Sequence, residues 1–104
     1  MNANNKSELM SQLNRETAKM AWAELEKFFA HGSVVYVDAS LDLIEAAAEM
    51  ALDNKVQIGA WMDEQKFGLA QEQQAEQWAA ENTTLWAVVV APWVLVQPVK
   101  QTIQ

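Results

Sequence analysis

The chain has 104 residues, 51% of them apolar and 20% charged, with fourteen acidic against seven basic side chains. That length suits one domain, able to bury about 65% of the surface its unfolded form exposes. The absence of cysteine excludes disulfides, thiolate catalysis and cysteine-based zinc or iron–sulfur sites, and the net charge of −7 works against phosphate-backbone and anionic-lipid partners.

The opening segment, MNANNKSELMSQ, lacks the apolar centre of a signal peptide, so a cytoplasmic protein is expected. Residues 1–6, small and polar, are expected to be disordered, with a single domain over 7–97 and a polar tail over 98–104.

Ser7 can cap a helix running to about Ala30, in which Leu9, Leu13, Thr17, Met20, Leu25, Phe28 and Phe29 recur near helical spacing. A break near Asn14–Thr17 is allowed by the pattern, and Gly32 suits the residue that ends the helix. Ser33–Asp38, SVVYVD, reads as a strand because β-branched and aromatic residues dominate it.

Asp38 or Ser40 can cap the next helix, about Leu41–Leu52, with Leu41, Ile44, Ala47, Ala48 and Ala51 on its apolar face. Asp42, Glu45 and Glu49 form an acidic stripe opposite. Asn54 can cap a third helix to about Gln65, apolar around much of its circumference through Val56, Ile58, Ala60, Trp61 and Met62, so burial is expected. Lys66–Ala70 is a strand candidate, and Gln71–Asn82 a polar helix with a narrow stripe of Ala75, Trp78 and Ala79.

Leu85–Val96, LWAVVVAPWVLV, is too short for a bilayer, which needs about 20 apolar residues. It is expected to close the domain as one strand, covered on both faces and kinked at Pro92. Side chains alternate along a strand, so Trp86 and Trp93, seven residues apart, would point to opposite faces. One ring would then look away from the core, and an apolar patch of that kind commonly marks an interface. Trp86, Pro92, Trp93 and Leu95 are therefore the expected contact residues of a homodimer, with Asp42, Glu45 and Glu49 as a secondary acidic surface.

The predicted class is α+β, in the winged-helix-like order α-β-α-α-β-α-β with an extra helix in place of the wing. A winged helix invites a DNA-binding reading, but Asp38–Glu64 holds seven acids and one base, Lys55, which argues against nucleic acid. The acidic stripe has the spacing to hold a divalent cation, yet no histidine accompanies it, so a solvated face explains it better. Asp42 also complements the helix dipole. His31, Ser33 and Asp38 are the residue types of a hydrolytic triad, but His31 beside Gly32 reads as a cation at a helix C-terminus. No catalytic, metal-binding or cofactor-binding residue is assigned, and no cofactor is expected.

Three segments carry a family resemblance. ETAKMAWAELEKFFAHGSVVYVDASLDLIEAA (Glu16–Ala47), ALDNKVQIGAWM (Ala51–Met62) and LWAVVVAPWVLVQ (Leu85–Gln97) resemble an uncharacterised bacterial family labelled domain of unknown function 2288. The D-x-S-L-D-L run at Asp38–Leu43 and the APWVLVQ run at Ala91–Gln97 are its most specific pieces. The resemblance implies a small bacterial, cytoplasmic protein and brings no activity, cofactor or site residue.

The resulting expectation is a non-enzymatic protein-interaction module that forms a homodimer, with its other protein partner unknown and no membrane association. One alternative is a winged-helix transcriptional regulator binding DNA as a dimer, which needs Lys6, Arg15, Lys19, Lys27, Lys55 and Lys66 on one face. A second is an enzyme with an unfamiliar carboxylate site, which needs a pocket joining Asp38, Asp42 or Glu45 to His31 or Tyr36.

Overall fold

The computed structural model describes residues 3–99. Ten elements follow in order: α1 (Ala3–Glu16), β1 (Ala18–Ala21), α2 (Trp22–Ala30), β2 (Val34–Val37), α3 (Leu43–Ala51), α4 (Lys55–Asp63), β3 (Phe67–Leu69), α5 (Glu72–Glu81), β4 (Thr84–Val90) and β5 (Trp93–Pro98). The class is α+β. The strands form one mixed sheet in the order β1-β4-β5-β2-β3, in which β2 and β5 run parallel and the other pairs antiparallel.

Strand alternation divides the core in two. Val35, Val37, Phe67, Val88 and Leu95 face a layer made of α1, α3 and α4. Val34, Leu85, Ala87, Val94 and Val96 face α2 and α5, where Trp22 packs against Trp78 with ring centroids 5.1 Å apart. A five-stranded mixed sheet between two helical layers is not the winged-helix order expected, because β1 and a second C-terminal strand are additional elements.

The first of these interrupts the long N-terminal helix. Thr17 turns its hydroxyl back to donate to the Leu13 carbonyl at 2.7 Å, and Ala18–Ala21 then pairs with Leu85, Trp86 and their neighbours along β4. Alanine, lysine and methionine favour helix locally, so the edge of β4 overrides their propensity. Residues 3–6, expected to be disordered, belong to α1; residues 1–2 of that segment lie outside the described residues, as do residues 100–104 of the expected tail. Pro98, placed in the tail, instead ends β5 opposite Leu85.

The C-terminal apolar run is a hairpin rather than one kinked strand. β4 and β5 pair from Val90↔Trp93 to Leu85↔Pro98, and Ala91 and Pro92 alone make the turn, with a cis peptide between them. Because Val90 and Trp93 are opposite partners, they share a face, and Trp86 lies on it too. Both rings therefore pack against the α1/α3/α4 cluster, and neither faces away from the core. The expected parity fails because the turn restarts the alternation.

Gly32, at φ 74°, ends α2, and its N–H donates to the Phe29 carbonyl at 2.9 Å. Asp42, not Asp38 or Ser40, caps α3: its carboxylate accepts from the backbone N–H groups of Ile44 at 2.9 Å and Glu45 at 3.2 Å. Asn54 caps α4 by accepting from the Gln57 N–H at 3.2 Å. The expected burial of α4 is not met, since none of its residues is buried. It sits beside the three-residue edge strand β3 and leans on the core only through Ile58 and Trp61, the latter 6.1 Å from Phe67.

Candidate interaction surface

The residues expected at an interface serve the core. Leu95 is fully buried and Trp86 and Trp93 are half-buried on the α1/α3/α4 side, leaving Pro92 exposed at the hairpin tip. The Lys19 ammonium lies 5.1 Å from the centre of the Trp86 ring, covering its outer part.

The acidic stripe separates into three roles. Asp42 is the α3 cap, Glu45 is exposed, and Glu49 is buried, so no continuous acidic face forms. Glu49 accepts from Lys6 at 2.7 Å and from the Asn54 amide at 2.9 Å, tying α1 and the α3–α4 corner to α3. These bonds hold its carboxyl below the ordinary glutamate range against the opposing pull of burial. Among the described residues no group of three or more histidines and carboxylates is placed to hold a metal ion.

The triad residue types are not assembled. His31 is exposed at the α2 C-terminus, with Nδ1 2.9 Å from the Lys27 carbonyl oxygen. Asp38 instead shapes the turn after β2, where it accepts from the Ser40 N–H at 2.9 Å and the Tyr36 hydroxyl at 3.2 Å. Ser40 lowers the Asp38 carboxyl, whereas burial, followed by the charge on Asp38, raises the Tyr36 phenol. Tyr36 borders two hollows under α5, neither of which is lined by Asp38, Asp42, Glu45 or His31.

The six bases named for a DNA-binding face do not share one. Lys6, Arg15 and Lys55 belong to the α1/α3/α4 layer, Lys27 to α2 in the opposite layer, Lys19 to the sheet edge and Lys66 to the start of β3. Lys6 is paired with Glu49, and Lys66 lies 3.6 Å from Glu64.

Among the described residues, the exposed large apolar side chains are Leu52, Val56, Met62, Leu69 and Val89. Four of these five surround α4. Leu52 and Val56, 49% and 84% exposed, flank its N-terminal end, while Met62 and Leu69 meet at a hollow beside its C-terminal end. Between Val56 and Met62 the helix carries no charged residue, and Val56 and Ala60, one turn apart, are both exposed. The apolar residues here were visible in the sequence, but their pattern pointed to burial.

Among the described residues, no helix is long and apolar enough to cross a membrane. No curated protein matches the chain. A solved structure does: the NMR solution structure of PA1075 from Pseudomonas aeruginosa is similar over 100% of this chain and 98% of its own, with 39% identity and a TM-score of 0.80. The match reaches from α1 to the end of β5, so the likeness covers the hairpin and the α4 surface together. A family model described as "Protein of unknown function (DUF2288)" matches residues 8–98, and the chain belongs to that family.

Proposed function

We propose that this protein is a non-enzymatic protein-interaction module that pairs with a second copy of itself through the α4 surface. The observation that carries the reading is a nine-residue helix holding valine, isoleucine, tryptophan and methionine without one buried residue. Each copy has a net charge of −7, so self-association favours the part of the surface where charge is sparse. The exposed Val56, Ala60 and Met62 of α4, with no charged residue between them along the helix, meet that condition. A two-fold contact brings the same patch together from both copies, with Val56, its most exposed apolar side chain, in the contact.

Sedimentation velocity at about tens of micromolar tests this, a specific pairing of this kind burying about 800 Å² per partner. The wild-type chain is expected to sediment as a dimer and the Val56→Asp variant as a folded monomer. A monomeric wild type overturns the reading, as does a Val56→Asp variant that remains dimeric.

A further inference from the structure

We infer that the hollow between the last turn of α1 and the start of α3, with Trp86 in its wall, binds a small organic cation that carries several N–H donors, a guanidinium above all. The site goes beyond the pairing surface, and none of the exposed apolar residues around α4 lines it.

Two runs singled out in the sequence meet at this hollow. The D-x-S-L-D-L run supplies Asp42 and Leu43, and the APWVLVQ run supplies Gln97. Asn14 of α1, Thr17 just after it and Trp86 of β4 complete the lining. The hollow measures about 400 Å³, within the range of small-ligand sites. A neighbouring hollow shares Asn14 and Asp42 and adds Met10, which gives an aliphatic stem an apolar neighbour.

The polar groups here have spent their donors and kept their acceptors. The Thr17 hydroxyl gives its proton to the Leu13 carbonyl at 2.7 Å. The Gln97 amide nitrogen donates to the carbonyls of Asp38 and Leu41 at 2.9 and 2.8 Å. Asp42 Oδ1 accepts from both Ile44 and Glu45, so the positive end of α3 is answered by that oxygen. Among the described residues, Asp42 Oδ2, Gln97 Oε1 and the Asn14 amide have no partner, and Thr17 Oγ keeps its lone pairs. Against these oxygens only the Asn14 amide and the Trp86 indole are left to donate. A ligand that completes the site must therefore bring donors.

Its charge follows from the same residues. Asp42 is the only charged side chain lining the hollow, which opposes an anion, and the net charge of −7 draws a cation toward the protein. The Trp86 ring already holds one cation, the Lys19 ammonium at 5.1 Å, although Lys19 does not line the hollow. A guanidinium suits the site better than an ammonium, being planar, weakly hydrated and richer in donors.

The test uses the isotope-labelled full chain at constant ionic strength and the NMR signals of the Asn14 and Gln97 side-chain amides and the Trp86 indole. The probes are methylguanidinium, methylurea, which has nearly its shape without the charge, and tetramethylammonium, which has the charge without a donor. Methylguanidinium is expected to shift these signals saturably, and each of the others to bind at least about tenfold more weakly. Asp42→Asn keeps the helix cap, since asparagine caps as well as aspartate, and is expected to weaken methylguanidinium by about tenfold. Should that variant fail to fold, Asn14→Ala, at an exposed helical position, is expected to weaken it by about threefold. Lys19→Gln removes a like charge beside the ring and is expected to tighten binding by about threefold. Val56→Asp should leave binding unchanged, which separates this site from the pairing surface. The inference is overturned if methylguanidinium shifts none of these signals at millimolar concentration, or if methylurea or tetramethylammonium binds equally. It is likewise overturned if the Asp42 and Asn14 variants bind like wild type, or if Lys19→Gln does not tighten binding.

Discussion

The side-chain amide of Gln97, on β5, donates to the backbone carbonyl of Leu41 at 2.8 Å, fifty-six residues away in sequence. The same nitrogen donates to the Asp38 carbonyl at 2.9 Å. One glutamine thereby ties the end of the APWVLVQ run to the D-x-S-L-D-L run and holds the turn that delivers α3. Gln97→Leu keeps the bulk but removes both donors, leaving two part-buried carbonyls to find water. We expect a loss of about 1–2 kcal/mol in urea unfolding, without a change in the folded state's association. A variant as stable as wild type would show that the loop is held by the Asp42 cap and the Asp38 turn alone.

The position of the C-terminal tryptophans makes a second prediction. Leu95 is wholly enclosed between the sheet and α3, so Leu95→Ala is expected to cost about 3 kcal/mol. Trp93→Ala should cost a comparable amount, about 2–4 kcal/mol, because its ring packs on the same cluster. Sedimentation of whatever fraction stays folded should be unaltered in both. If either substitution dissociated the protein while leaving its unfolding midpoint in place, the hairpin would be an interface after all.

These residues also mark where the sequence was readable. The strand at Ser33–Asp38, the Asn54 cap and the helix over Gln71–Asn82 carry their own local chemistry, and each stands close to where its pattern placed it. Ala18–Ala21 has no strand signal, because its conformation comes from the β4 edge it completes. The twelve-residue apolar run hid a turn, since Ala91-Pro92 offers neither of the glycine-bearing pairs that usually announce a two-residue hairpin. For the candidate site the difficulty was different: apolar residues around α4 look the same whether the helix is covered or bare. Only its position beside a three-residue edge strand decides between them.

Helix ends offer a third prediction. Asp53, Gln65 and Asn82 all take positive φ, at 58°, 62° and 52°, immediately after or at the ends of α3, α4 and α5. Glycine would announce such ends in the sequence, and only Gly32 does so. Gln65 is exposed, and its backbone N–H donates to the Met62 carbonyl at 3.0 Å, a bond glycine retains. A side chain in the left-handed region costs about 1–2 kcal/mol, partly offset by the greater unfolded-state freedom of glycine. Gln65→Gly should therefore raise stability by about 0.5–1 kcal/mol in thermal or urea unfolding. An equal or lower midpoint would mean that the long side chain of Gln65 contributes packing worth more than the relieved strain.

The Lys6–Glu49 pair predicts a pH dependence. The Lys6 ammonium, and after it the Asn54 amide, hold the Glu49 carboxyl below its ordinary value of 4.5. A carboxyl depressed in the fold stabilises it fully above the unfolded value, and that contribution is lost as pH falls from there through the folded value. Asp38, lowered from 3.8 chiefly by Ser40, acts in the same direction at somewhat lower pH. Glu49→Gln keeps the shape and can keep a neutral bond, but removes the charge that Lys6 meets. Because the Lys6 side chain is 38% exposed, water screens the pair, and the variant is expected to lose only about 1 kcal/mol at neutral pH. The difference between wild type and variant should shrink as the pH is lowered from about 6 to about 3, while both lose stability through Asp38. Thermal midpoints across that range read the outcome directly. A gap that stays constant with pH would assign the effect of the substitution to packing around Glu49, and the ion pair would then have no part in holding α1 against α3.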